Sequence, residues 1–143
     1  MWSRLVLITA MLGNVPGIAP AQETPPDIPV LHLELNALSD VDQACRLSFV
    51  ARNETDRGIE KAVFETVIFD ANGGVARLSL FDFRDLPLGR PRVRQFDLAD
   101  ISCAEVGRVL INGASNCIAD GETVDLCDRA LSVASRLDVE LIG

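Results

Sequence analysis

Few side chains in this sequence can do chemistry. The single imidazole, His32, stands two residues before Glu34. On an extended strand that spacing puts both on one face, a minimal candidate for a metal contact. Zinc and most transition-metal sites draw on more nitrogen or sulfur donors than one histidine supplies, so the expectation is a solvated pair and no metal. A Ser-His-Asp triad would need the same imidazole. Ser48, Ser79, Ser102, Ser115, Ser132 and Ser135 sit in no Gly-x-Ser-x-Gly elbow. Paired carboxylates recur at Asp40/Asp42 and Asp97/Asp100, as in any acidic chain. Glycoside hydrolysis would need two of them at a set separation across a cleft. The acidic loop Ala119-Asp120-Gly121-Glu122 and the pair Asp125/Asp128 are the better calcium candidates, without EF-hand spacing. No cofactor is expected, and a non-catalytic protein is.

Two other groups of residues point to binding. Arg90, Arg92 and Arg94 alternate, so on a strand they share a face, and Arg84 is close by. They are the basic concentration of an otherwise acidic chain. They would dock an acidic partner or guard an edge strand against unwanted pairing. In Leu78-Ser79-Leu80-Phe81-Asp82-Phe83, Leu78 and Leu80 share one face and Phe81 and Phe83 the other. A sandwich buries one face of each sheet, so one pair needs a cover. Phe81 and Phe83 with Arg84, Arg90, Arg92 and Arg94 are the expected partner-binding residues, since aromatic residues and Arg are enriched at interfaces. The sequon Asn53-Glu54-Thr55 matters only where exported proteins are glycosylated.

The elements that must position these residues begin with an address. Arg4, the apolar run Leu5–Leu12 and the small-x-small triplet Ala19-Pro20-Ala21 read as a secretory signal over residues 1–21. The run is too short to span a bilayer, so no membrane span is expected after cleavage. Residues 22–29 form a proline-rich leader. Removing the signal takes away Arg4 and changes the formal charge of the 143-residue chain from −8 to −9. Such a balance argues against nucleic-acid partners, which demand Lys and Arg. Cys45, Cys103, Cys117 and Cys127 then lie in exported chain, and an even number there implies two disulfides. No Cys-x-x-Cys spacing favours zinc or redox exchange. Of the three connectivities, the ten-residue separation favours Cys117–Cys127.

From residue 30 the pattern has period two. Val30–Ala37 and Cys45–Arg52 read as half-buried strands. Ile59–Phe69 is apolar on both faces, as befits a central strand. Asp70-Ala71-Asn72-Gly73-Gly74 is a hairpin turn, and Val75–Phe83 returns from it. Arg92–Leu98 follows three chain breakers and is expected at an edge, with a bulge or an early end. Val106–Asn112 is a further strand, residues 113–128 a loop held by the local disulfide. Leu131–Leu141 is a strand, with a helix over 126–137 as its rival. About seven strands with short polar connections describe an all-β antiparallel sandwich over residues 30–143.

Asp97-Leu98-Ala99-Asp100-Ile101-Ser102-Cys103 resembles the corner before the second cysteine of immunoglobulin-like domains. Ile101 stands where those domains place Tyr, and their core Trp has no counterpart, so the resemblance is one of architecture. It implies Cys45–Cys103 as the long disulfide, between strands of opposite sheets. Parity agrees, since Cys45 shares a face with Leu47 and Phe49, and Cys103 with Val109 and Ile111. In outline the chain is similar to small uncharacterised secreted proteins of alphaproteobacteria, a likeness that implies export and no particular activity. The expected function is a periplasmic or secreted module that docks a protein partner of the bacterial envelope. A small-ligand or calcium-binding domain is the alternative.

Overall fold

Alternation of apolar and polar side chains carries directly into two sheets. The computed structural model describes residues 28–143. The expected signal and most of the leader lie outside these residues. Nine strands follow one another: β1 (Val30–Val41), β2 (Ala44–Glu54), β3 (Ile59–Asp70), β4 (Val75–Leu86), β5 (Arg92–Ala99), β6 (Val106–Ala119), β7 (Glu122–Thr123), β8 (Leu131–Ser135) and β9 (Glu140–Ile142). A 3-10 turn, Cys103–Glu105, precedes β6, and one helical turn, α1 (Leu126–Arg129), precedes β8. One sheet has the order β5-β2-β1-β8. The other runs β4-β3-β6-β7, with β9 also on β6. The fold is the expected all-β sandwich, antiparallel except for the short pairs β1–β8 and β6–β9.

The core is built from the inward positions. Leu31, Leu33 and Leu35 of β1 and Leu47, Phe49 and Ala51 of β2 face Phe64 and Ile68 of β3, Phe81 and Phe83 of β4, and Val109 and Ile111 of β6. β3 is central, as its two apolar faces require. The β3–β4 hairpin closes through Asp70, whose carboxylate accepts from the backbone N–H of Asn72 and Gly74 at 2.8 and 2.9 Å. Gly73 takes φ 85° in that turn, where a side chain would be strained. Gly107 meets the same corner. A Cβ there would lie 2.2 Å from the carbonyl oxygen of Asp70.

Both disulfides form as expected. Cys45 in β2 joins Cys103 in the 3-10 turn, with Cα atoms 4.8 Å apart. It therefore ties the first sheet to the entrance of β6, although Cys103 stands ahead of the strand and its parity plays no part. Cys117 of β6 joins Cys127 of α1.

Three expectations change. β6 continues through the expected loop to Ala119, so the local disulfide joins strand to helical turn rather than closing a loop. The C-terminal run is neither one strand nor a helix. It is one helical turn, then β8 on the first sheet, then β9 on the second, with Ser135 Oγ accepting from Leu137 N–H and donating to Val139 O at the crossing. That crossing shuts one side of the sandwich with the chain itself. β5 holds an unbroken register with β2 from Ala51↔Arg92 to Ala44↔Ala99. Its imperfect alternation is not a bulge. Arg92 and Arg94 occupy inward positions beside Phe96 and Leu98 because the sandwich is open at that edge.

Asn53 is 1% exposed. Its amide donates to Leu86 O and Arg57 O at 2.8 Å each, and its Oδ1 accepts from Thr55 Oγ1 at 2.7 Å. The sequon is thus a structural knot between the sheets. Asn53→Ala takes the side-chain donor from the buried Leu86 carbonyl, while the part-buried Arg57 carbonyl keeps Thr55 Oγ1, and costs about 1–3 kcal/mol, read by denaturant titration. A change below 0.5 kcal/mol would contradict this role.

Candidate functional site

The expected partner-binding residues separate into three groups. Phe81 and Phe83 are core residues, 3% and 0% exposed. They pack with Phe49, Phe64 and Phe96: Phe81 stacks on Phe96 at 4.1 Å, and Phe83 meets Phe49 at 5.4 Å. The cover that sequence reasoning sought for this face is the opposite sheet. The outward pair is Leu78 and Leu80, 56% and 62% exposed, so the docking assignment of Phe81 and Phe83 is overturned.

Arg94 and Arg92 close the open side. Arg94 reaches from β5 to the free edge of β4, donating to Phe83 O at 2.5 Å and Asp85 O at 2.9 Å, with the Asp85 carboxylate 3.3 Å away. Its side chain is 15% exposed. Burial draws its pKa below the ordinary guanidinium value, against the opposing pull of Asp85. It remains a cation, and it links two edge strands of different sheets. Arg92 lies 3.7 Å from the same Asp85. Arg84 and Arg90 are exposed. Arg84 stands at φ 60°, where the β3–β4 register shifts.

Around this side the surface is unlike the rest. Of six exposed large apolar residues among those described, five lie between positions 75 and 93: Val75, Leu78, Leu80, Leu88 and Val93. The stretch 75–94 holds five arginines against Asp82 and Asp85, a net +3. The remaining residues therefore carry −11 of the overall −8. A shallow groove between β4 and β5 is lined by Leu80, Arg84, Val93, Arg94 and Phe96, among others. Leu80 and Val93 were missed as site residues. The signal was present in the parity of β4, which allows only one of its two apolar pairs to face the core.

The remaining candidates go elsewhere. His32 Nε2 lies 3.0 Å from Glu54, across the strand pair, rather than beside Glu34. Of the acidic residues suggested for calcium, Asp120 pairs with Arg57 and Asp125 with Arg129, while Asp128 accepts from Ala114 N–H. Among the described residues no group of three or more His, Cys, Asp or Glu side chains could hold a metal ion. No described helix is long and apolar enough to cross a membrane.

Asp97 is held by Arg46 through two hydrogen bonds of 2.7 and 2.9 Å. That contact lowers its carboxyl pKa. Glu105 is likewise lowered, by the N–H and hydroxyl of Ser102. A depressed carboxyl pKa stabilises the fold above the unfolded value and loses that stabilisation as pH falls through the folded value. Stability therefore declines on acidification below about pH 4, and Asp97→Asn flattens that decline. Thermal melts between pH 2 and 6 check it. An identical acid limb in the variant would count against the contact.

No protein-family model matches the chain, and no curated protein matches it in sequence. Its fold does resemble a solved structure. IrmA from Escherichia coli superposes with a TM-score of 0.58 over 73% of this chain and 91% of that one, at 11% sequence identity. At that identity the likeness concerns the fold alone. The two disulfides fit a protein of an oxidising compartment.

Proposed function

We propose that this chain is an exported, non-catalytic interaction module, periplasmic or secreted, that holds a protein partner of the bacterial envelope on its β4–β5 side. One observation carries the reading: exposed apolar side chains and arginines are concentrated there while the rest of the molecule is strongly acidic. Apolar anchors ringed by Arg are the make-up of protein-binding surfaces. The surface differs from the one expected from sequence. Leu78, Leu80 and Val93 replace Phe81 and Phe83 as anchors, Arg84 and Arg90 are free to reach a partner, and Arg94 holds the sandwich shut.

Photo-crosslinkers placed at positions 80 and 93, with a control at exposed Ser132 on the far side, test this in the intact envelope. One discrete partner is expected from the first two positions, and its capture should fall at least tenfold in Leu78→Asp/Val93→Asp. Equal capture from position 132, or no loss in that variant, would refute the reading.

A further inference from the structure

The second sheet is apolar on its outer face as well as toward the core. Val63 and Val67 of β3 are 9% and 7% exposed yet lie outside the core cluster, because Phe64 and Ile68 take the inward positions. Val67 pairs with Leu78 of β4 and with Leu110 of β6, and Leu110 pairs with Ile142 of β9. Paired residues of neighbouring strands share a face, so four apolar side chains stand in one row across four strands. One row along lie Phe69, Arg108 and Glu140; one row back lie Leu80 and Glu65.

Two charges flank the central row. The Arg108 guanidinium lies over the Phe69 ring, 5.2 Å from its centroid, and its Nε is buried without a hydrogen-bond partner. Glu65 accepts from the Asn112 amide. No ion pair among the described residues includes Arg108 or Glu65. Phe69 and Glu65 are four residues apart on β3, about 13 Å, too far for the two charges to meet within one chain.

We propose that this face packs on the same face of a second copy, about a two-fold axis lying along the Leu78–Val67–Leu110–Ile142 row. The charges select both the occupant and the axis. Turning the sheet about that row sets β3 over β3 of the copy and Phe69 over the copy's Glu65. The guanidinium above Phe69 then meets that carboxylate, and the symmetry makes the contact twice. Glu140 shares the Arg108 row but stands two strands from β3, about 10 Å away. The other two-fold within the face, parallel to the strands, sets each row on itself and brings like charges together. Sheets packed face to face stay within about 30° of alignment, which keeps rows this close to the axis in register. The inference does not rest on the partner reading. The two surfaces meet at Leu78 and Leu80, whereas Val93 belongs to the other sheet.

Sedimentation velocity of the full exported chain, disulfides intact, tests this. A concentration-dependent dimer is expected. Arg108→Glu and Glu65→Arg should each weaken it at least tenfold, because each sets like charges opposite one another. Mixed in equal amounts, the two variants should dimerise at least tenfold more tightly than either alone, since every contact in the mixed pair is again between opposite charges. Arg108→Gln, which keeps a stem over Phe69, is the milder variant if Arg108→Glu fails to fold; it should weaken the dimer and gain nothing from Glu65→Arg. Leu110→Asp should leave a folded monomer. The proposal is overturned by a parent chain that stays monomeric to about 100 µM, by charge variants that dimerise like the parent, or by a mixture no tighter than its components. Capture of a different protein from position 93 would survive that failure.

Discussion

Replacing Cys45 and Cys103 together by Ala should lower the unfolding free energy by about 4 kcal/mol, roughly 15–25 °C in Tm. The link closes a span of 58 residues, and in the chain-entropy account a long loop denies the unfolded chain more freedom than a short one. The Cys117–Cys127 link spans 10 residues and is worth about 2.7 kcal/mol on the same estimate. The long link also joins the first sheet to the turn that starts β6, so its loss frees the layers at that end. Guanidinium titration of the two double variants measures both. A Cys45/Cys103 variant within 1 kcal/mol of the parent would show that the sandwich holds by packing alone.

Phe49→Ala should cost about 3–5 kcal/mol. Phe49 is fully buried and lies edge-on to Phe81, Phe83 and Phe96, with ring centroids 6.0, 5.4 and 5.9 Å away. Those three rings come from β4 and β5, the two edge strands on the open side. Truncation removes apolar area and leaves a cavity where three rings converge, and the neighbours cannot collapse into it without moving strands. Equilibrium unfolding measures the loss. A cost below 1 kcal/mol would mean that the aromatic cluster is not the mechanical centre of that side. The comparison with Leu80→Asp is informative, because Leu80 is exposed and its substitution should leave stability within about 0.5 kcal/mol. A stability loss from position 49 and a binding loss from position 80 separate core from surface. Phe81→Ser belongs with the first of these and cannot serve as a clean test of docking.

Much of the fold was legible because period two is a local signal. β1, β2, β3 and the Asp70–Gly74 hairpin follow from alternation and turn chemistry, and both disulfides follow from an even cysteine count, spacing and architectural resemblance. The errors share one cause. Parity says which residues share a face, but not which face meets the opposite sheet. Phe81/Phe83 and Leu78/Leu80 were equally good candidates for the core until the opposite sheet supplied Phe49 and Phe96. The C-terminal run shows the same limit. Leu131, Val133, Leu137, Val139 and Leu141 keep one alternation that only Ser135 interrupts, yet the chain leaves one sheet after Ser135 and joins the other at Glu140. A single serine is too weak a local signal to announce that passage. Arg92 and Arg94 were read as a surface pattern, whereas Arg94 faces inward and hydrogen-bonds the carbonyls of another strand.

Composition and periodicity alone determined that this is an acidic, all-β chain with cysteines enough for two disulfides, because those properties depend on residue type and near-neighbour spacing. The packing of the sheets decided the rest. Which leucines reach solvent, which arginine becomes a clamp and which edge stays open depend on long-range partners: β5 and β4 are adjacent only because each borders a different sheet on the same side. The surface we propose for binding is made by that meeting, and neither strand encodes it by itself.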